Sequence, residues 1–187
     1  MKVGRVVVVL GAFIGARAVA GEPAPTVAEP AVASPTAAAP AAPKPPAFLE
    51  NAPMGVGHCD PSERAVFSCE AAGGKYISLC ADDAFTQLQY RFGKPEFADL
   101  RAPASSAPAA FHYGHVAWAQ GEEHSAWFVN EGHTYKVVSA VGSSMGGDAN
   151  NYQGVKVIKD DKELAFVKCA KFPQADYLML LDGVLAP

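Results

Sequence analysis

The clearest periodic signal in the chain is Gln87-Leu88-Gln89-Tyr90-Arg91-Phe92, in which polar and apolar residues alternate. That period of two is the mark of a half-buried strand, with Leu88, Tyr90 and Phe92 facing inward. Upstream, Val66 to Cys69 and Lys75 to Cys80 flank Ala72-Gly73-Gly74, whose glycines suit a hairpin with a left-handed residue. If Cys69 faces Ile77, then Phe67, Cys69, Ile77 and Leu79 share one buried face and Cys80 points to the other. Downstream, Phe111 and Tyr113 begin an alternation that Val116 and Trp118 continue out of phase, and a bulge at Gly114 would restore the phase. Ser125 to Val129 and His133 to Val138 surround Asn130-Glu131-Gly132, which predicts a hairpin placing Trp127 opposite Tyr135. Gln153 to Ile158 and Glu163 to Cys169 surround the polar turn Lys159-Asp160-Asp161-Lys162. Short strands at fairly regular intervals, with no convincing amphipathic helix between them, predict an all-β fold, a small antiparallel sandwich or barrel. The tail from Phe172 to Pro187 contains Tyr177-Leu178-Met179-Leu180-Leu181, which reads equally as a short helix or a covering strand.

The N-terminal third has a different texture. Lys2 and Arg5 precede an uncharged, largely apolar stretch from Val6 to Ala16, and Ala18-Val19-Ala20 offers small residues before Gly21, the layout of a cleaved secretory signal. Arg17 stops the apolar run short of the roughly 20 residues that span a bilayer, so no stable membrane insertion is expected after cleavage. Residues 21–53 are rich in Ala and Pro, and repeated proline removes donors and fixes φ, so this segment reads as a disordered, extended linker. Its reach is at most about 100 Å at roughly 3.1 Å per residue. The expected organisation is a signal peptide over 1–20, the linker over 21–53, a β-domain over 54–171 and a tail over 172–187.

Charge and cysteine usage refine this picture. With residues 1–20 go Lys2, Arg5 and Arg17, so of 15 basic residues 12 remain against 19 acidic ones, a formal charge of -7. A nucleic-acid partner rewards dense Lys and Arg and is not expected; an acidic surface fits a basic partner, or simply keeps the protein in solution. Four cysteines in an exported chain imply two disulfides. The facing argument selects Cys69–Cys169, which ties the first strand to the last, and leaves Cys59–Cys80. Cysteine spacings of 10, 11 and 89 contain no C-x-x-C pair, which disfavours a zinc site built on thiolates.

Chemistry is harder to read. No nucleophile elbow, phosphate-binding loop, dinucleotide fingerprint or H-E-x-x-H occurs, and no cofactor is expected. With a bulge at Gly114, His112 and His115 would share the outer face, near enough to share a metal or a proton, but no third ligand is evident and no metal is expected. The glycine-rich, polar stretch from Gly142 to Tyr152 is a candidate binding loop through Ser143, Ser144, Asp148, Asn150, Asn151 and Tyr152. Glu122-Glu123-His124 reads as a loop. Trp118 and Trp127 fall at inward parity, which favours core packing over a sugar-stacking role.

The order Phe67-Ser68-Cys69, Leu79-Cys80, Gln89-Tyr90-Arg91-Phe92-Gly93, Gly154-Val155-Lys156-Val157 and Cys169 resembles small secreted proteobacterial proteins of unassigned function. More remotely, the layout is similar to periplasmic lysozyme-inhibitor domains. Those present a Ser-Gly-x-x-Tyr loop, which is not matched here, since Met145 follows Ser144 and Tyr152 lies too far along. The expected function is therefore a non-enzymatic, periplasmic or secreted module that binds a protein or cell-envelope component through its loops. Lysozyme inhibition and a small hydrolase using His112 or His115 are the alternatives.

Overall fold

The structure is a computed structural model that describes residues 46–143 and 151–187. The proposed signal peptide, most of the linker, and Ser144, Asp148 and Asn150 of the candidate loop lie outside the described residues. The fold is all-β, as the alternation implies. Among the described residues, ten strands form two five-stranded antiparallel sheets. The first contains β1 (Arg64–Glu70), β2 (Tyr76–Ala81), β3 (Leu88–Lys94), β4 (Phe97–Ala102) and the short β10 (Ala175–Asp176), in the order β10-β1-β2-β3-β4. The second is a simple meander of β5 (His112–Trp118), β6 (Gly121–Asn130), β7 (His133–Gly142), β8 (Tyr152–Lys159) and β9 (Lys162–Lys168).

The core lies between the sheets. Phe67, Ile77, Leu79, Leu88 and Tyr90 of the first sheet meet Ala126, Phe128, Val137 and Val155 of the second. Tyr90 approaches Phe128 at 5.4 Å and Tyr135 at 6.0 Å between ring centres, inside the range in which tilted aromatic pairs attract. Cys69 pairs with Ile77 in the hairpin register, and Gly73 and Gly74 take the positive φ that its connection requires. Cys69 bonds to Cys169 and Cys59 to Cys80. The first bond ties β1 to the residue after β9, and so joins the two sheets.

Four local readings are corrected. β5 pairs with β6 without a register break, so there is no bulge at Gly114; Gly114 instead packs against Ser125, whose Oγ would lie 2.8 Å from an added Cβ. The alternation simply continues, so Val116 and Trp118 point outward, while the inward positions after Tyr113 are His115 and Ala117. The β6–β7 connection has two residues rather than three: Asn130 pairs with His133, and Glu131 (φ 50) and Gly132 (φ 72) make the turn. That change of one residue exchanges the faces. Phe128, not Trp127, lies opposite Tyr135 and stacks on it at 5.4 Å, and Trp127 lies opposite Lys136 on the outer face.

The folded unit also reaches further at both ends. Residues Ala47–Asn51 form a short 3-10 helix that buries Leu49, and Ala52 is buried after it, so the linker ends before 53. The tail supplies a strand and a helix together: β10 pairs with β1, and a 3-10 helix over Leu178–Leu181 buries Leu178 and Leu181. The segment ahead of β1 covers the far side of the first sheet. There Arg91, on the opposite side of the strand from Tyr90 and Phe92, is 4% exposed; it donates to both oxygens of Glu63 at 2.5 and 2.7 Å and to the carbonyl of His58 at 2.8 Å.

Candidate functional site

The meander places distinct chemistry on its two faces. Its inner face is apolar along most of its length, where Ala126, Phe128, Val137 and Val155 enter the core. Towards one end the same inward positions become His115, Glu122, His124 and Ser139. His115 and His124 are cross-strand partners, and Glu122 precedes His124 by two residues, so all three project from one face of two neighbouring strands. The imidazole rings stack in parallel, 4.5 Å apart with 2° between their planes. His115 Nε2 donates to Glu122 Oε2 at 3.0 Å, and this bond holds the Glu122 carboxyl below the ordinary carboxylate range against a smaller opposing effect of burial. His124 Nε2 lies 3.3 Å from the same oxygen without hydrogen-bond geometry, and this buried nitrogen has no hydrogen-bond partner. On the other side of the ring, His124 Nδ1 is 2.6 Å from the Tyr113 hydroxyl. Burial, followed by the nearby Asp182 and Glu122, raises the Tyr113 phenol, which keeps it protonated.

Beside this cluster is a cavity of about 120 Å³ lined by Glu122, His124, Ser139, Val141, Asp176 and Met179. Ser139 Oγ donates to Asp176 Oδ2. A serine nucleophile must hand its proton to a base, usually an imidazole. Here the hydroxyl is committed to a carboxylate, so Ser139 is not arranged as a nucleophile with His124.

On the outer face, Trp127 stacks on His112 at 4.1 Å and 15°. The indole also walls a shallow groove of about 280 Å³ with Thr134, Lys136, Ile158 and Asp161. Further along, Glu123 is 6% exposed and accepts from Lys136 at 2.7 Å, Tyr152 at 2.7 Å and Lys156 at 3.0 Å. Burial alone pushes Glu123 upward, but these three donors outweigh it and hold the carboxyl at about 2. Burial and the bond to Glu123 push Tyr152 up to about 12. Lys156 lies over the rings of Tyr152 and Phe166, and Lys168 lies over Phe166 as well. Trp118 lies against Gly121 and Gly142, and a Cβ at either glycine would meet its indole.

The residues singled out from sequence are therefore dispersed. His112 and His115 occupy opposite faces of β5 and share neither a metal nor a proton, because the bulge that would have brought them together is absent. His112 Nδ1 lies 3.2 Å from the Pro187 carbonyl. Ser143 is held at the end of β7 by Gln120, its amide donating to the carbonyl at 2.9 Å. The Asn151 side chain accepts from the Gly142 amide at 3.0 Å, and Tyr152 belongs to the outer-face network. Sequence reading missed Glu122 and His124, because the run containing them looked like a loop. Extending the alternation Phe128, Ala126, His124, Glu122 backwards from the core would have found both on the inward face.

Together these features define a disulfide-bonded β-sandwich with a polar cluster at one end of its core and an aromatic, lysine-bearing outer face. Comparison with known proteins found no matching family, curated protein or solved structure. Among the described residues no helix is long and apolar enough to cross a membrane. The two disulfides fit an oxidising compartment.

Proposed function

We propose that this protein is an exported, periplasmic or secreted, non-catalytic binding domain that takes a saccharide unit of a cell-envelope glycan in the groove on the outer face of β6, β7 and β8. The observation that carries this reading is Trp127, an indole fixed on one side by His112 and walling a groove whose other members include Thr134, Lys136 and Asp161. A sugar ring offers an apolar face to an aromatic and a rim of hydroxyls to polar groups. Trp127 supplies the first partner, and Thr134, Lys136 and Asp161 supply donors and acceptors for the second. The groove is just under the roughly 300 Å³ at which small-ligand pockets usually begin, which suits one sugar unit of a longer chain. On the same face Lys168 favours an acidic glycan, while Lys136 and Lys156 are paired with Glu123.

The test is co-sedimentation of the oxidised protein with isolated envelope glycan at low and high salt. Trp127→Ala is expected to weaken retention about tenfold, equivalent to about 1.4 kcal/mol, while Lys168→Ala reduces only the part that salt removes. Retention untouched by Trp127→Ala would overturn the reading. So would salt-resistant, stoichiometric capture by a lysozyme in place of the glycan, which would point instead to an inhibitor.

A further inference from the structure

The geometry points to a divalent transition-metal site, of the imidazole-preferring class typified by zinc, formed by His115 Nε2, Glu122 Oε2 and His124 Nε2. The site is independent of the glycan groove and lies on the opposite face of the sheet. Three such ligand atoms lie within 4.8 Å of one another. A tetrahedral zinc ion with bonds of about 2.0–2.1 Å sets its ligand atoms about 3.3 Å apart. The two nitrogens here stand 3.0 and 3.3 Å from the shared carboxylate oxygen, near two edges of that tetrahedron, and because an imidazole ligates in its ring plane, one of the stacked rings turns out of the stack for both nitrogens to meet the ion.

A second observation points the same way. His124 Nε2 is buried without a hydrogen bond although a carboxylate oxygen is 3.3 Å away. An unpartnered buried nitrogen costs free energy that a bound cation would recover. When Nε2 ligates, the ring proton sits on Nδ1 and donates to the Tyr113 hydroxyl 2.6 Å away, the outer-shell contact that orients metal-binding imidazoles. The adjoining cavity of about 120 Å³ leaves room for a fourth ligand, a water or the Met179 thioether, beside Glu122 and His124. Two histidines and one carboxylate are a mixed nitrogen and oxygen set, which zinc accepts and calcium or magnesium do not favour.

The experiment is titration of the oxidised full chain with zinc chloride, read by calorimetry and by the thermal midpoint. Binding at one ion per chain with a dissociation constant in the micromolar range or below is expected, together with a rise in the midpoint that grows with zinc concentration. His115→Gln changes a side chain that is 39% exposed, so the metal-free variant should keep its midpoint. It and Glu122→Gln should each lose more affinity than the roughly 10–100-fold that follows loss of an outer-shell partner. Tyr113→Phe, which keeps the ring and removes only the hydroxyl, should lose about tenfold. His112→Ala, His133→Ala and Trp127→Ala should bind zinc as the parent does. Zinc binding that survives both His115→Gln and Glu122→Gln would overturn the site, as would no one-to-one binding up to about 1 mM. Because Trp127→Ala is assayed for zinc and Glu122→Gln for glycan, failure of either site is seen separately from failure of the other.

Discussion

Glu123 and Glu122 are adjacent in sequence and opposite in environment. One is enclosed by Lys136, Tyr152 and Lys156 on the outer face, and the other joins two histidines on the inner face. The alternation of a strand is enough to separate them. Glu123 carries a stability prediction. Its folded pKa of about 2 lies below the roughly 4.3 of an unfolded glutamate, so its contribution is full above pH of about 5. That contribution is lost as pH falls from about 4.3 towards 2, and it is on the order of 1–3 kcal/mol. Denaturant melts of the parent between pH 6 and pH 2 should show the loss, and Glu123→Gln should show a flatter profile over the same range. Identical pH profiles for the two would contradict the network. At this scale the sequence was readable where side-chain type and position agreed, as for Leu88 and Tyr90 in the core. It was unreadable where a charged residue is buried by a distant segment. Arg91 looks solvated within its own strand, and only the approach of Glu63 and His58 encloses it.

Turns decide which face a residue occupies. The β6–β7 connection was misjudged by one residue, because Asn130-Glu131-Gly132 is equally good chemistry for a loop of three residues or of two, and that slip inverted Trp127 and Phe128. The apparent phase break in β5 arose differently. Tyr113 and Trp118 are both apolar but lie on opposite faces, and the inward positions between the core and the strand end belong to His115 and Ala117. Polar residues at core-facing positions are where pattern reading fails, and they are also where sites are found. The β8–β9 turn offers a test of its own. Asp160 (φ 49) and Asp161 (φ 58) both hold left-handed backbone, the two-residue geometry that favours Asn-Gly. Converting the pair to Asn-Gly should raise stability by about 0.5–1 kcal/mol, measured by urea denaturation. Because Asp161 also lines the groove, the double variant should lose glycan affinity as it gains stability. A variant that loses stability would show that the turn is not held in this geometry.

Across the whole molecule, the disulfides and the end segments complete what the strands begin. The strand facing argument from one hairpin was sufficient to select both cysteine pairs, because Cys69 and Cys80 sit on opposite faces of the first sheet. In the chain-entropy model, the bond closing 100 residues contributes about 4.7 kcal/mol and the one closing 21 about 3 kcal/mol. Replacing Cys69 and Cys169 with serine should therefore lower the denaturation midpoint more than replacing Cys59 and Cys80, and the reverse order would contradict the joining role of the first bond. The tail was ambiguous in sequence because strand and helix are each too short to leave a periodic signature, while their burial depends on β1 and β6. Net charge does not report how the charges are arranged on the surface. The chain is acidic overall at -4, yet Lys136 and Lys156 gather around Glu123 with Lys168 on the same outer face, and only strand register brings them together.

The central claim, that the groove beside Trp127 is the ligand site, has a direct spectroscopic test. The chain has 2 tryptophans, so Trp118→Phe leaves Trp127 as the sole indole. Titration of that variant with soluble envelope glycan fragments should give a saturable change in Trp127 emission that persists at high salt and is lost when Asp161 is changed to Ala. Binding detected by calorimetry with no change in Trp127 emission would place the ligand elsewhere and contradict the account.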